Sequence, residues 1–258
     1  VPDMQGLMSD KKRIIGIIGG AGVAASAELV QRIEQKVTAQ GAFRDSHHPE
    51  LLLYNATQVP SRSMYLEGRG ESFVPGYVDA AEKLKNAGAS FVAMCCNTAH
   101  YARREIAREA GIPILNLLAE SLASAVNLVP NVRRIGILCS DGTRKAGLFE
   151  REAANLELNT ELVYPAAEYQ QMVTLGICNI KKGYHRSLQL SDPARPAHLY
   201  SKAAANLIEK GAEVVILGCT EVPLDFLAND CVVPVIDTIN ILADACIAIS
   251  SGYRDIPE

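Results

Sequence analysis

Short apolar runs alternate with amphipathic stretches along most of the chain. In the first half, the β-branched apolar runs 13–18, 51–54, 90–95 and 112–115 predict strands. Between them, 23–39, 73–87 and 99–110 carry Ala, Glu, Lys and Leu at helical spacing and predict helices. The second half predicts strands over 134–138, 160–163, 213–217 and 233–236, and helices over 143–156, 166–180, 196–210 and 222–229. Alternation of this kind predicts parallel sheets covered on both faces. Ligands of such sheets bind beyond the C-terminal ends of the strands.

The pattern also repeats. "LKNAGASFVAMCCNT" (84–98) matches "LIEKGAEVVILGCT" (207–220), pairing Leu84 with Leu207, Gly88 with Gly211 and Cys96 with Cys219 at an offset of 123. "RIIGIIGGAG" (13–22) matches "RRIGILCSDG" (133–142), and "IPILN" (112–116) matches "VPVID" (233–237), at offsets of 120 and 121. Ordered matches at nearly one offset describe two similar half-chains, not a solenoid. The fold class expected is α/β, with two similar doubly wound parallel-sheet domains related by a pseudo-twofold and an active site in the cleft between them.

Composition narrows the function. The 258 residues are 48% hydrophobic, lack Trp and carry a net charge of −4 with no block of like charge. Neither a nucleic-acid nor a membrane-surface footprint is present. No apolar run approaches the roughly 20 residues of a membrane span. Residues 1–7 read as a cloning remnant, with Met8 a native start. Seven cysteines without a C-x-x-C pair suggest reduced thiols in a cytoplasmic protein and no metal site.

The candidate chemistry lies at strand ends. In "FVAMCCNTAHY" (91–101) adjacent cysteines point to opposite faces, and only Cys96 has a counterpart in the other half. Cys96 and Cys219 therefore face one cleft from opposite walls if the halves pack mouth to mouth. A helix N-terminus after each would lower its pKa. One thiolate then takes a proton from a carbon while the opposing thiol gives one, which inverts the centre. Donors for the developing enediolate are Asn55, Asn97, Thr98, Thr220 and the amides of Gly20 and Gly22, and Glu221 is placed to tune Cys219. The loop Gly20-Ala-Gly22-Val-Ala-Ala25 also fits a dinucleotide fingerprint, but strand two ends in Tyr54 and Asn55 without the acidic residue that fingerprint wants. An anion such as a substrate carboxylate suits the loop better.

"CNTAHY" (96–101), "LGCTEVPL" (217–224), "IGIIGGAG" (15–22) and "PVIDT" (234–238) resemble the aspartate/glutamate racemase family, in order over about residues 13–250. The resemblance implies a cofactor-independent enzyme in which Cys96 and Cys219 are the acid/base pair. It also implies a small dicarboxylic amino acid as substrate and a homodimer. It further implies domains over 11–116 plus about 239–258, and 117–238, with a C-terminal helix that returns to the first. "ATQVPSRS" (56–63) looks like a segment whose arginine, here Arg62, holds a carboxylate, and "GICNIKKG" (176–183) like one with a second cation, Lys181 on this register with Lys182 as the alternative. Departures at Val23, Ser26, Ser61 and Cys95 leave the side-chain specificity open. Competing readings are a hydantoin racemase or maleate isomerase type on the same scaffold, and a two-lobed anion-binding or redox-sensing protein.

Overall fold

The computed structural model describes residues 13–257, so the cloning remnant expected over 1–7 lies outside the described residues. Among these, the first half forms a three-stranded parallel sheet. Strand β1 (Ile15–Gly19) lies between β2 (Leu51–Asn55) and β3 (Phe91–Met94). The second half forms a four-stranded parallel sheet from β4 (Arg134–Leu138), β5 (Glu161–Val163), β6 (Val214–Leu217) and β7 (Val235–Asp237), in the order β5-β4-β6-β7. The first order, β2-β1-β3, is the start of the second, which is the topological form of the sequence repeat.

Helices cover both sheets. In chain order they are α1 (Val23–Ala39), α2 (Arg62–Leu66), α3 (Val74–Asn86), α4 (Arg103–Ala110), α5 (Leu117–Leu128) and α6 (Asp141–Lys145). They continue with α7 (Leu148–Asn155), α8 (Ala167–Lys181), α9 (Tyr184–Ser187), α10 (Pro196–Glu209) and α11 (Thr238–Ser250). On one face of the first sheet Ile18, Val92 and Met94 meet Tyr77, Ala80 and Leu84 of α3. On the other, Ile15, Ile17 and Ala93 meet Leu29 and Ile33 of α1 and Leu242, Cys246 and Ile249 of α11. Burial on both faces explains why the strands read as unbroken apolar runs. Helix α11 is tied to α1 by the Lys36–Asp244 ion pair and by Arg32, which pairs with Asp237 at the helix cap.

Several predicted elements differ. The strand expected over 112–115 is a single bridge between Val92 and Ile114, because Asn116 immediately caps α5 with its side chain. The helix expected over 143–156 is two helices, broken where Gly147 adopts φ 57. That conformation admits glycine and disfavours other residues. The stretch expected as a helix over 222–229 forms two 3-10 turns, Val222–Leu224 and Ala228–Asp230. Helix α5 has no counterpart among the predicted elements, since "LLAESLASAVNL" has no sustained polar face. It runs between the sheets, with Leu117 in the first core and Leu118, Leu122 and Ala125 in the second. Among the described residues no helix is long and apolar enough to cross a membrane.

Candidate active site between the two sheets

The doublet at the end of β3 splits as alternation requires. Cys95 packs in the layer of α1 and α11, and Cys96 in the layer of α3. Cys219 follows β6 by two residues and is partly exposed. The two strand ends touch reciprocally. Thr98, two residues after Cys96, reaches the loop after β4, with its hydroxyl 3.0 Å from Ser140 Oγ and 2.9 Å from Thr143 Oγ1. Glu221, two residues after Cys219, reaches the loop after β1: a Cβ on Gly22 would sit 2.7 Å from its Oε1. Thr220 donates to the Cys95 carbonyl at 3.4 Å. Nearby, α2 and α6 approach so closely that a Cβ on Gly142 would lie 2.8 Å from Ser63 Cα.

These contacts divide the expected donors. The hydroxyls of Thr98 and Thr220 are engaged between the halves. The Gly20 amide donates to Ser26 Oγ at 2.9 Å, and the carboxylate over Gly22 is the protein's own Glu221. Asn55 ends edge strand β2, exposed, with its Oδ1 where a side chain on Gly19 would be. Asn97 is different: it is buried, and neither its Oδ1 nor its Nδ2 has a hydrogen-bond partner. An unpaired buried amide costs about 1–3 kcal/mol, which a ligand can offset.

Arg62 opens the short helix α2, capped by Ser61 Oγ, which accepts from the Met64 amide at 3.4 Å. Ser61 therefore has a structural reason to stand where an acidic residue was expected. Arg62 Nη1 donates to the carbonyls of Val59 and Pro60, while its Nε is buried without a partner. Burial opposes the guanidinium charge, but Cys96 and Tyr77 beside it outweigh that and hold it protonated. Lys181, at the end of α8, is half exposed and lies 3.7 Å from Glu221 Oε1.

The environments of the two thiols are unlike. Cys96 faces the Arg62 cation. Cys219 Sγ donates to Glu221 Oε2 at 3.0 Å. Burial, then the adjacent Glu221 carboxylate, push the Cys219 thiol well above its ordinary range. The lowering expected from a helix N-terminus is thus reversed at Cys219, because only a three-residue 3-10 turn follows and an anion sits beside the sulfur. Glu221→Gln should bring the Cys219 titration down and speed its carboxymethylation at pH 8 by about tenfold. An unchanged rate would mean that burial alone sets the thiol.

His100, four residues after Cys96, is buried. Its Nδ1 hydrogen-bonds the Cys96 carbonyl at 2.9 Å and its Nε2 accepts from the Leu117 amide at 3.1 Å, which joins the cysteine loop to α5. Burial lowers its pKa to about 4. Above pH 6.5 both folded and unfolded histidine are neutral. As pH falls from 6.5 towards 4 the unfolded chain takes a proton that the folded one refuses, so stability is lost in that window. The loss is about 3 kcal/mol between pH 7 and pH 4. Urea unfolding should show that wild type loses this much more than His100→Asn over the same range; equal losses would remove His100 from the acid response.

Two further residues belong to the site. Tyr77 on α3 and Tyr200 on α10 are fully buried, and neither hydroxyl has a hydrogen-bond partner. Each packs in the same apolar cluster as the cysteine of its own half, Tyr77 with Cys96 and Tyr200 with Cys219. They are 123 residues apart, the offset that relates the cysteines, and Ala80, Ala81 and Leu84 pair with Ala203, Ala204 and Leu207 at the same offset. That register was the signal for them in the sequence.

Comparison with known proteins agrees with the two-sheet α/β fold. A family model described as Asp/Glu/hydantoin racemase matches residues 18–246. The chain is 23% identical over 245 residues to the broad specificity amino-acid racemase RacX of Bacillus subtilis, spanning 93% of this chain and 100% of that one. It is 26% identical to a glutamate racemase of Desulforudis audaxviator over 60% of this chain, and spans about half of that relative's length, 54%. The structure of Picrophilus torridus aspartate racemase matches with a TM-score of 0.77 at 22% identity, covering 92% of this chain and 94% of that one, a likeness of fold.

Proposed function

Because the chain belongs to the Asp/Glu/hydantoin racemase family, we propose that it is an amino-acid racemase that inverts aspartate or glutamate by proton transfer between Cys96 and Cys219. The observation that carries this reading is the pair of thiols at equivalent strand ends, ringed by buried polar atoms without partners: Arg62 Nε, the Asn97 amide and the two tyrosine hydroxyls. A guanidinium, an amide and two phenols gathered about two thiols suit a small polar ligand.

On this reading Cys219 rests as the thiol, hydrogen-bonded to Glu221, and Cys96 beside Arg62 is the base. Cys96 removes the Cα proton of one enantiomer. Asn97 donates to the enediolate oxygen that develops, and the Cys219 S–H protonates the opposite face. The other enantiomer runs the same steps from the opposite protonation form. Arg62 holds one carboxylate and Lys181 attracts the second. The seven free cysteines suit a reducing cytoplasm. A homodimer, implied by the resemblance, is checked by sedimentation.

Lys181 also supports a second reading. Its pairing with Glu221 leaves Arg62 as the cation beside Cys96, which would admit amino acids with one carboxylate; the Bacillus subtilis relative is named a broad specificity amino-acid racemase. Incubation in D2O with both enantiomers of aspartate, glutamate and a set of monocarboxylic amino acids, followed by NMR, separates these. Deuterium should enter Cα of aspartate or glutamate from both enantiomers. Exchange across the whole set favours broad specificity, and no exchange with any amino acid using fully reduced protein would sink both.

A further inference from the structure

A phenylalanine would fill the space of Tyr77 or Tyr200 equally well, because the ring makes the packing contacts. Tyr77 stacks edge-on against Phe73 at 5.5 Å, and Tyr200 against Phe226 at 6.5 Å. Room is kept for the second ring: a Cβ on Gly176, inside α8, would lie 2.8 Å from Tyr200 Cζ. A glycine within a helix costs roughly 0.5–1 kcal/mol relative to alanine. Each buried phenol O–H without a partner costs about 1–3 kcal/mol more. The Tyr164 hydroxyl is also unpartnered, but only Tyr77 and Tyr200 are related by the offset of the cysteines and packed beside them.

We propose that Tyr77 and Tyr200 are matched positioning residues, each donating the hydrogen bond that stabilises the thiolate form of the cysteine beside it. The inference rests on the two-thiol reading of the site. In each turnover one cysteine gives its proton to the substrate. The S–H bond breaks, a Cα–H bond forms and the sulfur keeps the electron pair. The phenol keeps its own proton and turns its O–H onto the new thiolate. Burial, together with the neighbouring cysteine, keeps both phenols far above the ordinary tyrosine range, so each stays a donor and never competes as a base. Other charged or titrating groups also face the sulfurs. Cys96 is faced by Arg62 and by Cys219; Cys219 is faced by Glu221, with Lys181 beyond it. Arg62 can steady the Cys96 thiolate on its own, whereas Glu221 opposes the Cys219 thiolate. Tyr200 is therefore the more demanding of the two positions.

The test compares Tyr77→Phe and Tyr200→Phe with wild type. The alkylation rate of each cysteine by iodoacetamide is followed from pH 6 to 10 and resolved by peptide mass spectrometry. Tyr77→Phe should slow Cys96 by about tenfold at neutral pH and leave Cys219 unchanged, and Tyr200→Phe should do the reverse with the larger effect. In D2O each variant should slow the half-reaction of its own cysteine. Melting temperatures should hold or rise, since the atom removed had no partner. Wild-type alkylation profiles in both variants, equal slowing of both cysteines in each variant, or a clear fall in melting temperature would each overturn the proposal. Wild-type protein without Cα exchange that still gave the paired alkylation pattern would overturn the racemase reading and support the pairing.

Discussion

Cys219→Ser is expected to abolish racemisation, with a fall of about a thousandfold or more. A positioned acid or base contributes about a hundred- to ten-thousandfold. The serine hydroxyl is far weaker as an acid than a thiol, even one raised by Glu221. It would still accept the geometry, since it can donate to Glu221 as the sulfur does. The loss should therefore be chemical, with substrate binding retained. The informative part is direction. Cys219→Ser keeps Cys96, so deuterium should still enter from the enantiomer whose Cα–H faces Cys96, although inversion stops. Cys96→Ser should show the opposite preference. Cys95→Ser should be nearly silent, because that side chain packs with α1 and α11 behind the strand. Equal damage from Cys95→Ser and Cys96→Ser, measured under reducing conditions, would show that the doublet had been divided wrongly.

Arg62→Gln is expected to raise KM for aspartate and glutamate by about a hundredfold, with a smaller effect on kcat. The guanidinium is anchored by two backbone carbonyls of its own loop and keeps a buried Nε unpaired, so it is pre-set for an anion and loses little entropy on binding one. Charge-assisted hydrogen bonds of this kind contribute about 1.5–3 kcal/mol. Glutamine keeps the volume near Tyr77 but not the charge. If the affected group is the side-chain carboxylate, alanine turnover will change little in the variant. If it is the α-carboxylate, both substrates will lose affinity alike. An unchanged KM for every substrate would place Arg62 outside the site.

Much of the scaffold was readable because its signals are local. Buried parallel strands give unbroken apolar runs, and the repeat located Cys96 and Cys219 without reference to a fold. The misreadings have nonlocal causes. Helix α5 buries Leu117, Leu118, Ser121, Leu122 and Ala125 between two cores, and with only Glu120, Ser124 and Asn127 as polar positions off that face its helical period is weak. The division of α6 from α7 depends on a single left-handed glycine. The fates of Thr98 and Thr220 were invisible because their partners, Ser140, Thr143 and the Cys95 carbonyl, lie 42 to 125 residues away. Tyr77 and Tyr200 were not among the residues singled out in the sequence, because a hydroxyl's lack of a partner emerges only once the helices are packed.

The hydrogen bond from Cys219 to Glu221 has a kinetic consequence. Inversion leaves the empty enzyme with its proton on the other sulfur, so the protein that releases product differs from the one that bound substrate. Before the same enantiomer can react again, the free enzyme must recycle. Glu221 contacts both the Cys219 sulfur and half-exposed Lys181, so on the proposed mechanism it offers a path for the proton towards bulk water. On the proposed two-thiol mechanism, recycling slower than Cα chemistry would set the ceiling on turnover at high substrate concentration. Tracer racemisation measured far from and near equilibrium would then give different apparent rates.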